Sequence, residues 1–350
     1  MKKQGFIKRI AMVFAAALLT VTMIVPAASA QTPEKITLVW YPNESAADYQ
    51  VARDLIGSLI TEATGKPVEQ KLTTDYSIAI EALASGQAQI CFMGAQGYIQ
   101  AKEKNANVNP LFVNSGASGT LDDAIYYSWL CAKQADAAQY MDGDKFSIAN
   151  IAGKKISFVS NSSTSGFKVP STNIITLFGA QDAWKGLTTD DLVEGGEGKL
   201  FSEVLFGGSH QGSAFNLLSG AADVAAFCDT ELAPYADLTS GEEEKVGAVY
   251  TIKADATAPF DTVTGAAFTI IQSTPVLNGP FAYNADTLSA DDVAKIQQRF
   301  LAADVAANPD IFITAEGKEA GKVGMFKKTK NECFLLVDDA WYNPIREMGK

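Results

Sequence analysis

Between Ser160 and Gly166 the sequence SNSSTSG gathers four serines, one threonine and a glycine, directly after the apolar stretch KISFVS and before a segment that reads as a helix. Two kinds of chemistry use such a turn. A serine there can act as a nucleophile when a base stands beside it. Alternatively the turn seats an anion, because the first amides of a helix have no acceptor within it and carry the positive end of the dipole. Ser162, Ser163, Thr164 and Ser165 would add hydroxyl donors, Gly166 would let the backbone approach closely, and Pro170 falls where a first or second helical turn tolerates it. The blander alternative is a capping loop with spare hydroxyls.

The single histidine, His210, stands in FGGSHQGSAFNLLSG, again between a strand and a helix. Turns at strand ends of α/β sheets are where ligands bind. A hydrolase would combine Ser163 or Ser165 with His210 and an acid such as Asp223, but the chain has neither a G-x-S-x-G elbow nor a His-Glu-x-x-His cluster. Beyond residue 30 there are three arginines, Arg53, Arg299 and Arg346, none near the hydroxyl turn. A guanidinium fork is therefore not expected there, and neutral donors must do most of the work of holding an anion. Preorganised N–H and O–H dipoles in a dry cleft suffice for that.

The elements that must position these groups alternate. ITLVWY (36–41) reads as a buried strand, residues 46–63 repeat apolar side chains at helical spacing, PVEQKL reads as a strand, SIAIEALASG as a helix and AQICFMG as a strand. A second run starts at KISFVS and resumes at EVLFGG, AFNLLSG and ADVAAFC. The rhythm predicts mostly parallel sheets covered by helices, in two α/β lobes. LSADDVAKIQQRFLAADVAAN reads as one long surface helix capped by Ser289. GASGTLDDA and DATAPFDTVTG interrupt the rhythm and are the expected crossings between lobes.

Residues 1–30 have the order of a secretory signal: Lys2, Lys3, Lys8 and Arg9, an apolar run, then Ala28-Ser29-Ala30. Cleavage after Ala30 would leave 24 Lys+Arg against 40 Asp+Glu, a net charge of −16, which makes nucleic acid and anionic membrane surfaces poor partners. Repulsion of a small anion is nonetheless screened within ~8 Å at physiological salt. Cys91, Cys131, Cys228 and Cys333 form no Cys-x-x-Cys pair, so a metal knuckle is not expected; buried thiols and one or more disulfides are both open.

With these residues in view, the chain resembles the phosphonate-binding proteins of ABC transporters, the periplasmic family that also includes phosphate and phosphite binders. NSSTSGFKVP, followed about 45 residues later by GGSHQGSAFNLLSGAADVAA, carries the likeness, with ESAADYQVARDLIGSLITEATGKPVE and TTDYSIAIEALASGQAQICFMGAQGYIQA in the N-terminal half. The resemblance implies a type II periplasmic-binding-protein fold, two α/β lobes each with a mostly parallel sheet flanked by helices, joined by two hinge crossings. The first lobe would comprise residues 31–127 and 259–350, the second 128–258. Ser163, Thr164 and Ser165 would donate to the oxygens of a phosphorus oxyanion, His210 would hold another oxygen, and Tyr76 and Tyr126 would reach in from the first lobe and the hinge. Thr230, flanked by Asp229 and Glu231, matches the place where a carboxylate can face the tail of an amino-bearing phosphonate; Asp261, in the second crossing, is the other candidate region for an acid. Members commonly have Val-Asp-Ile where this chain has Ala88-Gln89-Ile90. The implied function is that of a monomeric, extracytoplasmic solute-binding component, not an enzyme and without cofactor, that delivers a phosphonate, phosphite or phosphate to the permease of an ABC importer. A binder of another oxyanion or small ligand used for sensing is the alternative.

Overall fold

The structure, a computed structural model, describes residues 33–45, 47–319 and 323–349. The expected signal segment and its cleavage point lie outside the described residues. β1 (Ile36–Trp40) is buried along its whole length. α1 (Gln50–Thr64) follows and stops at Gly65, whose φ of 72° turns its amide back onto Thr61. β2 (Val68–Leu72), α2 (Tyr76–Ala84), β3 (Ile90–Phe92), α3 (Ala95–Lys104) and β4 (Val108–Asn114) complete the first run. Gln89 tightens it: its Oε1 accepts the Thr37 amide at 2.8 Å and its Nε2 donates to Gly86.

The chain then crosses to a second sheet with β5 (Ile125–Lys133), β6 (Lys155–Phe158), α4 (Val169–Phe178), β7 (Glu203–Phe206), α5 (His210–Leu218), β8 (Val224–Cys228), β9 (Ala236–Ser240), β10 (Val249–Ile252) and β11 (Ala267–Leu277). It returns through β12 (Phe281–Asn284), α6 (Ala290–Phe300) and β13 (Phe334–Leu335). The six-stranded sheet runs β13-β4-β12-β3-β1-β2, and the seven-stranded sheet β9-β10-β11-β5-β8-β6-β7. Pairings are parallel where the β-α-β rhythm was read, β2-β1-β3 and β8-β6-β7. β12 and β5 run antiparallel to those neighbours. The reason is geometric: strands of the β-α-β runs end at the cleft, whereas a strand arriving from the other lobe begins there.

The first crossing is the expected one, residues 115–124, between β4 and β5. The second is corrected. DATAPFDTVTG connects the antiparallel strands β10 and β11, with Phe260 fully buried 5.0 Å from the Tyr235 ring, so it belongs to the second lobe. β11 then pairs with β5 from Phe268 to Leu277, and the chain leaves through Asn278-Gly279-Pro280. Apart from a short hairpin at Met141–Asp142 and Lys145–Phe146, the strands between residues 125 and 277 therefore share one sheet, and the return does not occur at residue 259. The helix predicted as one long element is also interrupted: α6, capped by Ser289, ends at Phe300, and a separate turn spans Ala303–Ala306.

Stacked rings stiffen the base of each lobe. Phe112 stacks on Phe300 at 4.5 Å in the first, and Tyr250 on Phe268 at 5.6 Å in the second. Each such buried ring contributes about 1.5–3 kcal/mol. None of the four cysteines forms a disulfide, and three of them are buried.

The returning crossing is packed without slack. A Cβ on Gly279 would lie 2.2 Å from the Met93 carbonyl oxygen and 2.8 Å from Gly94 Cα. Gly279→Ala should therefore force the crossing off the turn that starts α3 and lower stability by about 1–3 kcal/mol, read by urea unfolding. An unchanged midpoint would show that the crossing yields.

Candidate functional site

The hydroxyl-rich turn follows β6 and enters its helix through a π-helical turn, Thr164–Lys168. Ser163 is the N-cap, and its Oγ accepts the Gly166 amide at 3.0 Å. The Lys168 amide reaches back to the Ser163 carbonyl at 3.0 Å. Thr164 and Ser165, the first residues of the helix, have no intrahelical acceptor for their amides. A Cβ on Gly166 would come within 2.2 Å of Val159 Cγ2, so glycine is what lets the turn fold against the strand end. Thr164 Oγ1 accepts the amide of Gln96 from the first lobe at 2.9 Å. Gly94 makes room for it, since a Cβ there would lie 2.8 Å from the same oxygen. Ser165 is 1% exposed, its carbonyl accepts Ser128 Oγ at 2.6 Å, and its own hydroxyl has no hydrogen-bond partner.

His210 opens α5 behind Ser209, whose Oγ accepts the Gly212 amide at 3.0 Å. Its Nδ1 accepts the Cys228 amide at 3.1 Å. The ring proton of the neutral imidazole therefore sits on Nε2, making that atom a donor. Burial pushes the His210 pKa down to about 3, so the ring stays uncharged at neutral pH.

Both lobes enclose a cavity of about 90 Å³ at the strand ends. One water-sized group needs roughly 10–15 Å³ on this measure, so there is room for a tetrahedral oxyanion with one central atom. Ser163, Thr164, His210, Tyr76, Tyr126 and Thr230 all line it. Tyr76 is placed by the N-cap Asp75, which accepts the Ser77 amide at 2.7 Å, and its ring lies 4.1 Å from that of Tyr41. Burial, then the neighbouring Cys228 thiol, pushes the Tyr126 hydroxyl well above its usual range, with the Ser165 and Thr164 hydroxyls acting against this. Tyr126 is thus a protonated donor at neutral pH.

Two sequence expectations are revised by position. Ser165 is beside the Tyr126 hydroxyl and behind the cavity wall, and does not line the cavity. Asp261 is exposed in the turn Phe260–Thr262, away from the cavity, because that turn is a connection within the second lobe. The carboxylate that does line the cavity is Glu231, which accepts from Gln211 Nε2 at 3.0 Å and faces the Tyr49 hydroxyl at 3.5 Å. Burial raises the Glu231 pKa, against the Gln211 hydrogen bond and with the nearby Asp229. Asn43, Asn114 and Asn278 were not read as site residues, yet all line the cavity. Their signal is positional: Asn43 stands in the turn after β1, Asn114 ends β4 and Asn278 follows β11 in the returning crossing.

The three arginines are committed elsewhere, Arg53 to Gln50, Arg299 to Glu62 and Asp304, and Arg346 to Asp339. Asp223 stands at the opposite end of β8 from His210 and accepts the Lys155 amide at 2.8 Å, so the hydrolase trio is not assembled. Among the described residues no helix is long and apolar enough to cross a membrane.

Two hinged α/β lobes closing on a cavity of neutral donors define the architecture of periplasmic binding proteins. The chain belongs to the family described as ABC transporter, phosphonate, periplasmic substrate-binding protein, which is matched over residues 38–342. Members of that family are solute-binding transport proteins. A phosphate-import protein PhnD of Mycolicibacterium smegmatis is 28% identical over 206 residues, 57% of this chain and 56% of that protein, so the match spans little more than half the relative's length. In structure the chain is similar to a binding protein component of an ABC phosphonate transporter from Pseudomonas aeruginosa, with a TM-score of 0.61 at 19% identity, covering 91% of this chain and 86% of the other. It is equally similar to PhnD1 from Prochlorococcus marinus in complex with methylphosphonate, with a TM-score of 0.61 at 14% identity over 91% and 98% of the two chains. At these identities the likeness speaks for the fold.

The position of the His210 proton is directly measurable, because the chain has one histidine. Two-bond nitrogen–proton NMR spectra should show the Nε2–H tautomer unchanged from pH 8 to pH 5; a midpoint near the usual 6.5 would contradict the buried, neutral ring. The same shift sets a stability trend. Below pH 6.5 the unfolded chain takes up a proton that the folded ring refuses until about pH 3, so the His210 contribution falls on acidification across that window and is constant above it.

Proposed function

We propose that this chain is the solute-capturing component of an ABC importer, that its ligand is a small phosphorus oxyanion, a phosphonate, phosphite or phosphate, and that it hands the ligand to the membrane permease. The observation that carries this reading is the convergence of uncharged donors on one small cavity: the helix start at Thr164, the hydroxyls of Ser163, Thr164, Tyr76 and Tyr126, and the Nε2–H of His210. Such dipoles replace an anion's hydration shell without a counter-charge. The cavity has room for one phosphorus centre with four substituents. Family membership supports a role in uptake. The basic and apolar N-terminal segment supports export, and the protein acts as a monomer outside the cytoplasmic membrane.

Capture is a closure. A ligand that touches donors of both lobes binds the shut form better than the open one and shifts the population by that difference. Ser165 then acts indirectly, through its amide and its contact with Tyr126. Thr230 and Glu231 face the remaining substituent, and an ammonium-bearing tail would pair with the Glu231 carboxylate. A seryl hydrolase is disfavoured by His210 itself: a ring pushed to about 3, with Nδ1 already accepting an amide, is a donor and a poor base.

A thermal-shift panel of phosphate, phosphite, methylphosphonate, aminoethylphosphonate, sulfate and molybdate tests the reading. A ligand at 100 times its dissociation constant adds about 2.7 kcal/mol of stability. At least one phosphorus oxyanion should raise the midpoint, and silence from all four would overturn the proposal. With that ligand, Thr164→Ala should lose a charge-assisted hydrogen bond of about 1.5–3 kcal/mol, roughly ten- to a hundredfold in affinity by calorimetry. Unchanged affinity would remove the Thr164 hydroxyl from the site.

A further inference from the structure

Asn43 follows β1 in the turn Pro42–Ser45 and is 5% exposed. By chain position it belongs to the first lobe, yet it reaches the second. Its Oδ1 accepts the His210 amide at 3.1 Å, and its backbone oxygen accepts Gln211 Nε2 at 3.3 Å. Towards its own lobe, Nδ2 donates to the Tyr76 hydroxyl oxygen at 2.7 Å, and the same hydroxyl donates to Oδ1 at 3.1 Å. Asn43, Tyr76 and His210 all line the cavity.

The amide that opens α5 has no acceptor inside its helix. Ser209 serves the Gly212 amide, whereas the acceptor for His210 comes from across the cleft. That bond exists only while the lobes are together; opening returns both groups to water. A contact broken by opening, and bonded at its two ends to residues of the cavity wall, links closure to site geometry.

We propose that Asn43 is a positioning residue that clamps the shut form, capping α5 in trans and holding the Tyr76 hydroxyl so that His210 and Tyr76 are set against the ligand and its release is slowed. A carboxamide suits the place because it accepts and donates at once and brings no charge near an anion. An aspartate there would keep the acceptor, lose the donor and add repulsion. The release part of this inference rests on the proposed oxyanion function; the cap does not.

Two measurements on the full chain separate them. In ligand-free protein, amide-resolved hydrogen exchange should be at least about tenfold faster at His210 in Asn43→Ala than in the wild type, as expected for loss of one hydrogen bond. The Ser213 amide, bonded to the Ser209 carbonyl, should keep its rate. Equal His210 rates overturn the cap. Asn43→Asp should retain His210 protection, which keeps the assignment testable if the alanine variant misfolds; loss of protection in a folded aspartate variant also overturns it. In stopped-flow binding of whichever of phosphate, phosphite or methylphosphonate stabilises the wild type, Asn43→Ala should release about tenfold faster with association changed by less than about threefold. Tyr76→Phe should then weaken binding less in the Asn43→Ala background than alone. Unchanged release, or strictly additive losses, overturns the clamp. If none of these ions binds the wild type, the oxyanion reading fails, and the exchange rates still decide the cap.

Discussion

An anion can be held without a counter-charge only by dipoles that stay where they are. A lysine or arginine attracts from a distance and tolerates misplacement, whereas an N–H or O–H loses its grip within a fraction of an ångström and a few tens of degrees. The rest of this structure follows from that constraint. The helix starts at Thr164 and His210 are carried on the ends of β6, buried from Ile156 to Phe158, and of the neighbouring edge strand β7. Their fine position is set by groups with no freedom to move: Gly166 against Val159, Gly94 under Thr164, and the Cys228 amide on the His210 ring.

The acidity of the chain is managed by the same means. Glu231, Asp229 and Glu244 cluster near the cavity, and burial is the main cause holding all three carboxyls above their ordinary range. Raised acids carry less negative charge towards an incoming anion than their number suggests. Glu244 takes a left-handed φ of 65°, an unusual conformation for a side chain with a Cβ, and its carboxylate accepts Trp129 Nε1 at 3.0 Å. Beside it Glu243 pairs with Lys327 of the first lobe at 2.9 Å, so the loop bearing these acids also meets the opposite lobe.

What the sequence made legible was local. Ser163, Thr164 and His210 stand in short patterns that join a strand to a helix, and such patterns carry their own geometry, capping and donor exposure. Tyr76 was legible through the family likeness, and the Asp75 cap that places it came from the structure. Misplacement began where local composition stops discriminating. DATAPFDTVTG has the Pro, Gly and Asp of a crossing, but a connection between antiparallel strands uses the same residues, and Asp261 was carried to the cleft by that error. The true crossing, Asn278-Gly279-Pro280, is too brief to interrupt any periodicity. Ser165 was misplaced because a run of hydroxyls at a helix start does not say which of them faces in. Asn43 was invisible because its acceptor role depends on His210, 167 residues away in sequence.

The neutral histidine has a consequence for how capture responds to acidity. With its pKa pushed to about 3 by burial, His210 presents the same Nε2–H throughout the physiological range, so it cannot make binding pH-dependent there. Tyr126, raised well above its usual range, is equally constant. The groups left to respond are Glu231, Asp229 and Glu244, all lifted by burial, and the ligand's own ionisation. A change of pH therefore alters the acidic side of the cavity and the guest while the donor side stays fixed. Under the proposed function, discrimination between oxyanions of different protonation rests on the Glu231 side, and the strength of the grip on the helix starts.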